Sequence, residues 1–221
     1  MSTIADNIKS YTNELPSTVK LVAVSKFNPN QAIIEAYNAG QRVFAESRPQ
    51  EMLLKVQSLP NDIQWHFIGH LQTNKVRQVV GKVDLIQSVD SLRLLEAIQK
   101  EAARQGICQN ILLEVNIGQE ESKGGFAAEE VVSLVERIPT FPNIRLRGLM
   151  AIPPISQNSG DNRKFFQKMY ALAVDITTKK VDNVCVDILS MGMSDDFADA
   201  IACGSTMIRV GTAIFGQRNY T

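Results

Sequence analysis

The chain reads as an α/β protein folded as one (β/α)8 barrel of the TIM type, with residues 1–221 forming a single domain. Three observations lead there. Short β-rich apolar runs recur eight times, helical periodicity fills nearly every interval between them, and no dinucleotide-binding turn follows an early strand. Eight strands is the number that closes such a barrel. A doubly wound open sheet would carry Gly-x-Gly-x-x-Gly after an early strand. Val24-Ser25-Lys26-Phe27-Asn28 has no glycine, and no Walker sequence occurs anywhere.

The elements follow in order. Leu21–Ser25 is apolar and β-branched, as a strand covered on both faces must be. Asn28-Pro29 supplies a cap and a first-turn proline for a helix over Gln31–Asn38, and Gly40 sits where it stops. Strands follow at Arg42–Glu46, Gln64–Ile68 and Val83–Val89. An amphipathic helix then starts at Ser91, runs to Arg104 and meets Gly106 as its stop. After the strand Ile111–Ile117, a helix over Phe126–Ile138 ends at Pro139. The strand Ile144–Met150 leads through a turn-rich loop from Pro153-Pro154 to Gly160 into a long helix over Asp161–Lys180. Strand Val186–Ser190 precedes a helix opened by Ser194-Asp195-Asp196-Phe197, with acids in its first turn, and strand Met207–Gly211 closes the series.

Composition narrows the function classes. With 44% hydrophobic and 21% charged residues the chain suits a soluble globular protein, and 23 basic against 23 acidic residues leave no global field for nucleic acid or an anionic membrane. The amino terminus lacks a basic flank and an apolar core, and no stretch is apolar for long enough to span a bilayer, so a cytoplasmic location is expected. Cys108, Cys185 and Cys203 lack metal or redox spacing and read as reduced, mostly buried thiols. Asn219-Tyr220-Thr221 matches a glycosylation acceptor by chance, since no secretory signal accompanies it. No exposed strand edge or heptad seam argues for assembly, and a monomer is expected.

Chemistry in such a barrel gathers at the carboxyl ends of the strands. Lys26 ends the first. A lysine at that mouth is partly desolvated, which favours its neutral form and condensation with an aldehyde or ketone; the alternative is a solvated cation at a strand end. Strand seven runs into Ser190-Met191-Gly192-Met193-Ser194 and strand eight into Arg209-Val210-Gly211-Thr212. Their hydroxyls, glycine backbones and helix starts suit a phosphate; the alternative is two ordinary turns needing glycine. Strands one and eight become neighbours on closure, so Lys26, the cup and Arg209 converge on a phosphorylated carbonyl compound.

Other polar residues carry less. His66 and His70 lie in a strand run, where four residues separate them by about 13 Å, too far to share a metal unaided. Asp195-Asp196 reads as helix-dipole compensation. Lys123, before Gly124-Gly125, is either a solvated loop charge or a transient acceptor of the aldehyde.

The ordered motifs resemble one family. They are Val22-Ala23-Val24-Ser25-Lys26, Phe44-Ala45-Glu46, Trp65-His66-Phe67-Ile68-Gly69-His70-Leu71-Gln72 with Asn74-Lys75, Glu114-Val115-Asn116, Lys123-Gly124-Gly125-Phe126, Arg147-Gly148-Leu149-Met150, Leu189 through Phe197, and Ile208-Arg209-Val210-Gly211-Thr212 through Phe215-Gly216. Over nearly its whole length the chain resembles the pyridoxal-phosphate homeostasis proteins, whose barrel is similar to the amino-terminal domain of alanine racemase, the fold-type III arrangement. The resemblance implies pyridoxal 5'-phosphate (PLP) as cofactor, Lys26 as its Schiff-base lysine, Ser190, Gly211 and Thr212 as phosphate binders with Ser194 as helper, and Arg209 facing the pyridine nitrogen. It also implies a monomeric, non-catalytic carrier in vitamin B6 and amino-acid homeostasis, without the racemase's second domain. PLP-dependent apoenzymes or regulatory proteins are the partners such a role would use. One departure is visible: where the family commonly has asparagine after the glutamate, this chain has Ser47-Arg48. A small racemase using Lys26 as its base, or a Schiff-base aldolase acting on a sugar phosphate, is the enzymatic alternative.

Overall fold

Eight parallel strands close on themselves in the order β1 to β8 in a computed structural model, which describes residues 2–120, 123–154, 158 and 160–217. They are β1 (Lys20–Val24), β2 (Val43–Glu46), β3 (Gln64–Phe67), β4 (Leu85–Val89), β5 (Gln109–Glu114), β6 (Ile144–Met150), β7 (Val184–Ser190) and β8 (Met207–Val210). Each expected strand is present, with ends shifted by up to three residues. The ring is sealed by β1 against β8, with Val22 paired to Arg209 and Ala23 to Val210.

Alternation along each strand divides the core in two. Val22, Val43, Ala45, Leu85, Leu112, Met150 and Met207 form a small apolar cluster inside the ring. The other parity, including Leu21, Ala23, Phe44, Phe67, Ile86, Leu113, Leu149 and Val210, packs outward in a larger cluster under the helices. Polar residues then appear two positions along from inward apolar ones: Gln87 after Leu85, Glu114 after Leu112, Ser190 after Ile188 and Arg209 after Met207. These four give the C-terminal half of the barrel its chemistry.

The helices differ more from expectation. Helix α1 (Ile4–Glu14), which the sequence reading did not assign, precedes the barrel; Thr3 and Asp6 cap it reciprocally, and Asn7 Nδ2 donates to Ile214 O (2.9 Å). Helix α2 (Asn30–Asn38) is capped by Pro29 without a side-chain bond. The expected cap, Asn28, instead turns its amide back onto the Lys26 carbonyl (3.2 Å). Helix α3 (Pro49–Ser58) was also unassigned, and the β3–β4 connection holds only a 3-10 helix (Thr73–Gln78). Helix α4 (Leu92–Gln105) follows the expected signals, with Ser91 accepting from Leu94 N and Gly106 left-handed at φ 67. Helices α5 (Ala128–Arg137), α6 (Arg163–Thr178), α7 (Phe197–Ala202) and α8 (Thr212–Phe215) complete the outer layer. The cysteines correct the reading: Cys108 and Cys185 are exposed and Cys203 is half-buried. The Asn219-Tyr220-Thr221 match lies outside the described residues.

Candidate functional site

Lys26 lies two residues past the end of β1, half-buried at the C-terminal mouth. Both neighbours are anchored. Ser25 is fully buried and its hydroxyl donates to Glu46 Oε1 (2.6 Å), while Phe27, in the left-handed region at φ 67, donates its N–H to Glu51 Oε1 (2.7 Å). The β1–β8 pairing brings this turn alongside the one that leaves β8.

Arg209 is buried inside the ring and donates to three uncharged acceptors: Ser190 O (2.8 Å), Ser190 Oγ (2.6 Å) and Ala151 O (3.0 Å). Burial pulls its guanidinium down from 12.5 to about 10, with Glu114 and Asp196 acting to hold it up. Burial, reinforced by Asp90, conversely raises the Glu114 carboxyl, against the pull of Arg209 and His70. Ser190 passes the chain on by donating to Gln87 Oε1 (2.7 Å), and Gln87 Nε2 donates to His66 Nδ1 (2.8 Å). The same Nε2 lies 3.4 Å from the Met207 sulfur, an acceptor only, which fixes the amide's orientation and leaves the imidazole proton on His66 Nε2.

His66 is therefore a neutral core histidine, and burial, with a smaller contribution from Lys20, lowers its pKa from 6.5 to about 3. Its folded pKa lies below its unfolded one, so its contribution to stability is complete above pH 6.5 and is lost as pH falls from there toward 3, at up to about 1.4 kcal/mol per pH unit. Glu46 and Glu114, both raised from 4.5, slope the opposite way only above 4.5 and below their raised values. Between pH 7 and 5.5 the urea midpoint of wild type should fall relative to that of His66→Gln. Parallel lines would remove His66 as the source.

The remaining expected residues stand at the openings of β7 and β8. Gly192 is left-handed at φ 95 and its carbonyl accepts Arg209 N–H (3.0 Å), tying the two turns together. Ser194 and Gly211 are half-buried and Thr212 is exposed. Amides at the start of α8 lack intrahelical acceptors. Asp196 takes Met193 N–H (2.7 Å) and the Asn162 amide (2.8 Å), so its carboxylate closes the β7–α7 turn. Ser190, expected at the phosphate, has no exposed surface, and its hydroxyl is committed to Arg209 and Gln87.

Across the mouth, exposed His70 places Nδ1 2.8 Å from Asp90 Oδ2, so the two histidines serve separate neighbourhoods. Lys123 pairs with Glu120 and donates to Pro153 O (3.4 Å). Glu46, Glu51, Lys55 and Gln87 are site-supporting residues that the motif reading did not assign. A polar residue at inward parity within Leu85-Ile86-Gln87-Ser88-Val89 was the available signal for Gln87.

Residues 1–219 match the family model described as the alanine racemase N-terminal domain. The chain is 46% identical over 202 residues to the pyridoxal phosphate homeostasis protein of Aquifex aeolicus, covering 91% of this chain and 88% of that one. It is 42% identical to the protein of the same name from Haemophilus influenzae, over 95% of this chain and 89% of the other. Among solved structures, PipY of Synechococcus elongatus with PLP bound superposes with a TM-score of 0.88 at 35% identity, covering 97% of this chain and all of that one. Alanine racemase from Streptomyces coelicolor shares the fold, with a TM-score of 0.79 at 16% identity, over 96% of this chain and 57% of the racemase.

Proposed function

The chain belongs to the pyridoxal phosphate homeostasis protein family, built on the alanine racemase N-terminal domain, and from that premise we propose that it binds PLP as a reversible Schiff base at Lys26 and takes part in vitamin B6 and amino-acid balance. The observation that carries this reading is the pairing of β1 with β8, which sets half-buried Lys26 beside the Gly211-Thr212 turn.

The residues fit the cofactor. Lys26 Nζ would take the aldehyde carbon, while the Ser194 hydroxyl and the Gly211 and Thr212 amides would hold the phosphate. Arg209 would face the pyridine nitrogen. When bound, PLP supplies an electrophilic carbonyl and an electron-withdrawing ring. At a pKa of about 10 Arg209 is still a cation near neutral pH, and a cation disfavours a proton on that nitrogen, so the ring is a weak electron sink. The role is that of a single-domain, monomeric, cytoplasmic carrier that exchanges PLP with PLP-dependent apoenzymes or regulatory proteins. No helix among the described residues is long and apolar enough to cross a membrane.

Titration with PLP and with pyridoxal tests the reading. Wild type should prefer PLP strongly; equal affinities would remove the phosphate assignment. Ser190→Ala should weaken both ligands alike, because its hydroxyl is held by Arg209 and Gln87. A selective loss for PLP would instead place Ser190 on the phosphate. Single-enantiomer alanine should remain unconverted, and racemisation at enzymatic rates that disappears in Lys26→Ala would overturn the carrier assignment.

A further inference from the structure

Helix α3 reaches back to the strand end that bears Lys26. Lys55 Nζ donates to Ser25 O (2.9 Å), Glu46 Oε1 (2.8 Å) and Glu51 Oε1 (2.7 Å), with its side chain only 6% exposed and that of Glu46 fully buried. Glu51, one turn earlier, also accepts the Phe27 N–H, and the Arg48 guanidinium lies 4.5 Å over the Phe27 ring. The residues before and after Lys26 are thus both held from α3, and Phe27 is kept in a conformation that a bulky side chain rarely adopts.

Stability alone is a poor explanation for this arrangement. Buried charge pairs seldom outperform apolar packing, and this one leaves Glu46 Oε2 buried without a partner. Strained backbone persists where the surroundings over-determine it, and here it adjoins the reactive lysine. Strand β1 ends at Val24, so the direction of the Lys26 side chain is set in the turn that follows it.

We propose that Glu51 and Lys55, braced by Glu46, are positioning residues that fix the β1–α2 turn so that the Lys26 side chain points into the mouth. The inference rests on the assignment of Lys26 as the PLP-bearing residue. It makes α3 part of the site without touching the cofactor, and it assigns the Glu46, Glu51 and Lys55 set a role in presenting an amine.

The test uses the full-length chain as wild type, Lys55→Met, Glu51→Ala and Glu51→Gln. Glu51 is partly exposed, so its variants should fold even where Lys55→Met does not. Three readouts are taken well below each melting temperature: PLP affinity, induced circular dichroism of the bound chromophore at saturation, and acylation of Lys26 by a small N-hydroxysuccinimide ester without PLP, relative to exposed Lys9. Glu51→Ala and Lys55→Met should weaken PLP by about tenfold or more, alter the induced dichroism at full occupancy and shift the Lys26 to Lys9 acylation ratio. Glu51→Gln, which keeps the acceptor for Phe27 N–H, should restore most of each. Wild-type dichroism and acylation ratio in folded Glu51→Ala would overturn the proposal, whatever its melting temperature. If wild type carries no PLP on Lys26, the functional assignment fails by itself; the acylation ratio still decides, a shift upholding Lys26 positioning and an unchanged ratio refuting it.

Discussion

Arg209→Met is expected to change the spectrum of bound PLP while moving stability by no more than about 2 kcal/mol. The variant strips a donor from Ser190 O, Ser190 Oγ and Ala151 O, but Ser190 O keeps the Ala151 N–H (3.1 Å) and Ser190 Oγ keeps Gln87 (2.7 Å), so Ala151 O is the acceptor left unpaired, at about 1–3 kcal/mol. Against this stands relief of the guanidinium's burial, which holds its pKa at about 10 instead of 12.5 and so costs roughly 3 kcal/mol. The two terms nearly cancel. Without the cation the pyridine nitrogen can take a proton, and Glu114 loses an opposing charge and shifts further up. Arg209→Glu should fold worse than either, since it sets a carboxylate against two carbonyl oxygens. Urea midpoints and absorbance at saturation check both effects. A spectrum unchanged at full occupancy would remove Arg209 from the ring's surroundings.

Gly192→Val should be the most damaging change in the proposed phosphate cup. An added Cβ would lie 2.6 Å from Ala200 Cβ and 3.1 Å from Phe197 Cα, and φ 95 is unsuited to a β-branched residue. Strain and overpacking together should cost about 2–6 kcal/mol. Because Gly192 O receives the Arg209 N–H, the distortion reaches β8 as well. Where the variant folds, its preference for PLP over pyridoxal should collapse, while Gly192→Ala should be milder. A retained preference in folded Gly192→Val would separate this turn from phosphate binding.

The strands were legible because a barrel strand covered on both faces must be an apolar run, and eight such runs stand out from the helices between them. Lys26, Gly192, Gly211 and Arg209 were legible as strand-end residues for the same reason. What escaped the reading is the polar chemistry turned inward. Gln87 looks like an ordinary polar break in β4, and nothing local says that it spans the ring from His66 to Ser190. Ser190 was read by its hydroxyl; its direction depends on inward parity and on Arg209. Helix α3 was missed because Lys55 faces the protein, which breaks the binary pattern that marks a surface helix. Asn28 was misread as a cap because its sequence neighbourhood suits capping, while its amide finds the Lys26 carbonyl.

The most direct test of the account is where PLP attaches. The full-length protein is incubated with PLP, reduced with borohydride and mapped by peptide mass spectrometry, in parallel with Lys26→Ala. The account predicts one fixed pyridoxyl adduct, on Lys26, and none above background in the variant. An adduct spread over surface lysines such as Lys9 with Lys26 unmodified, or an equal yield in Lys26→Ala, would contradict it.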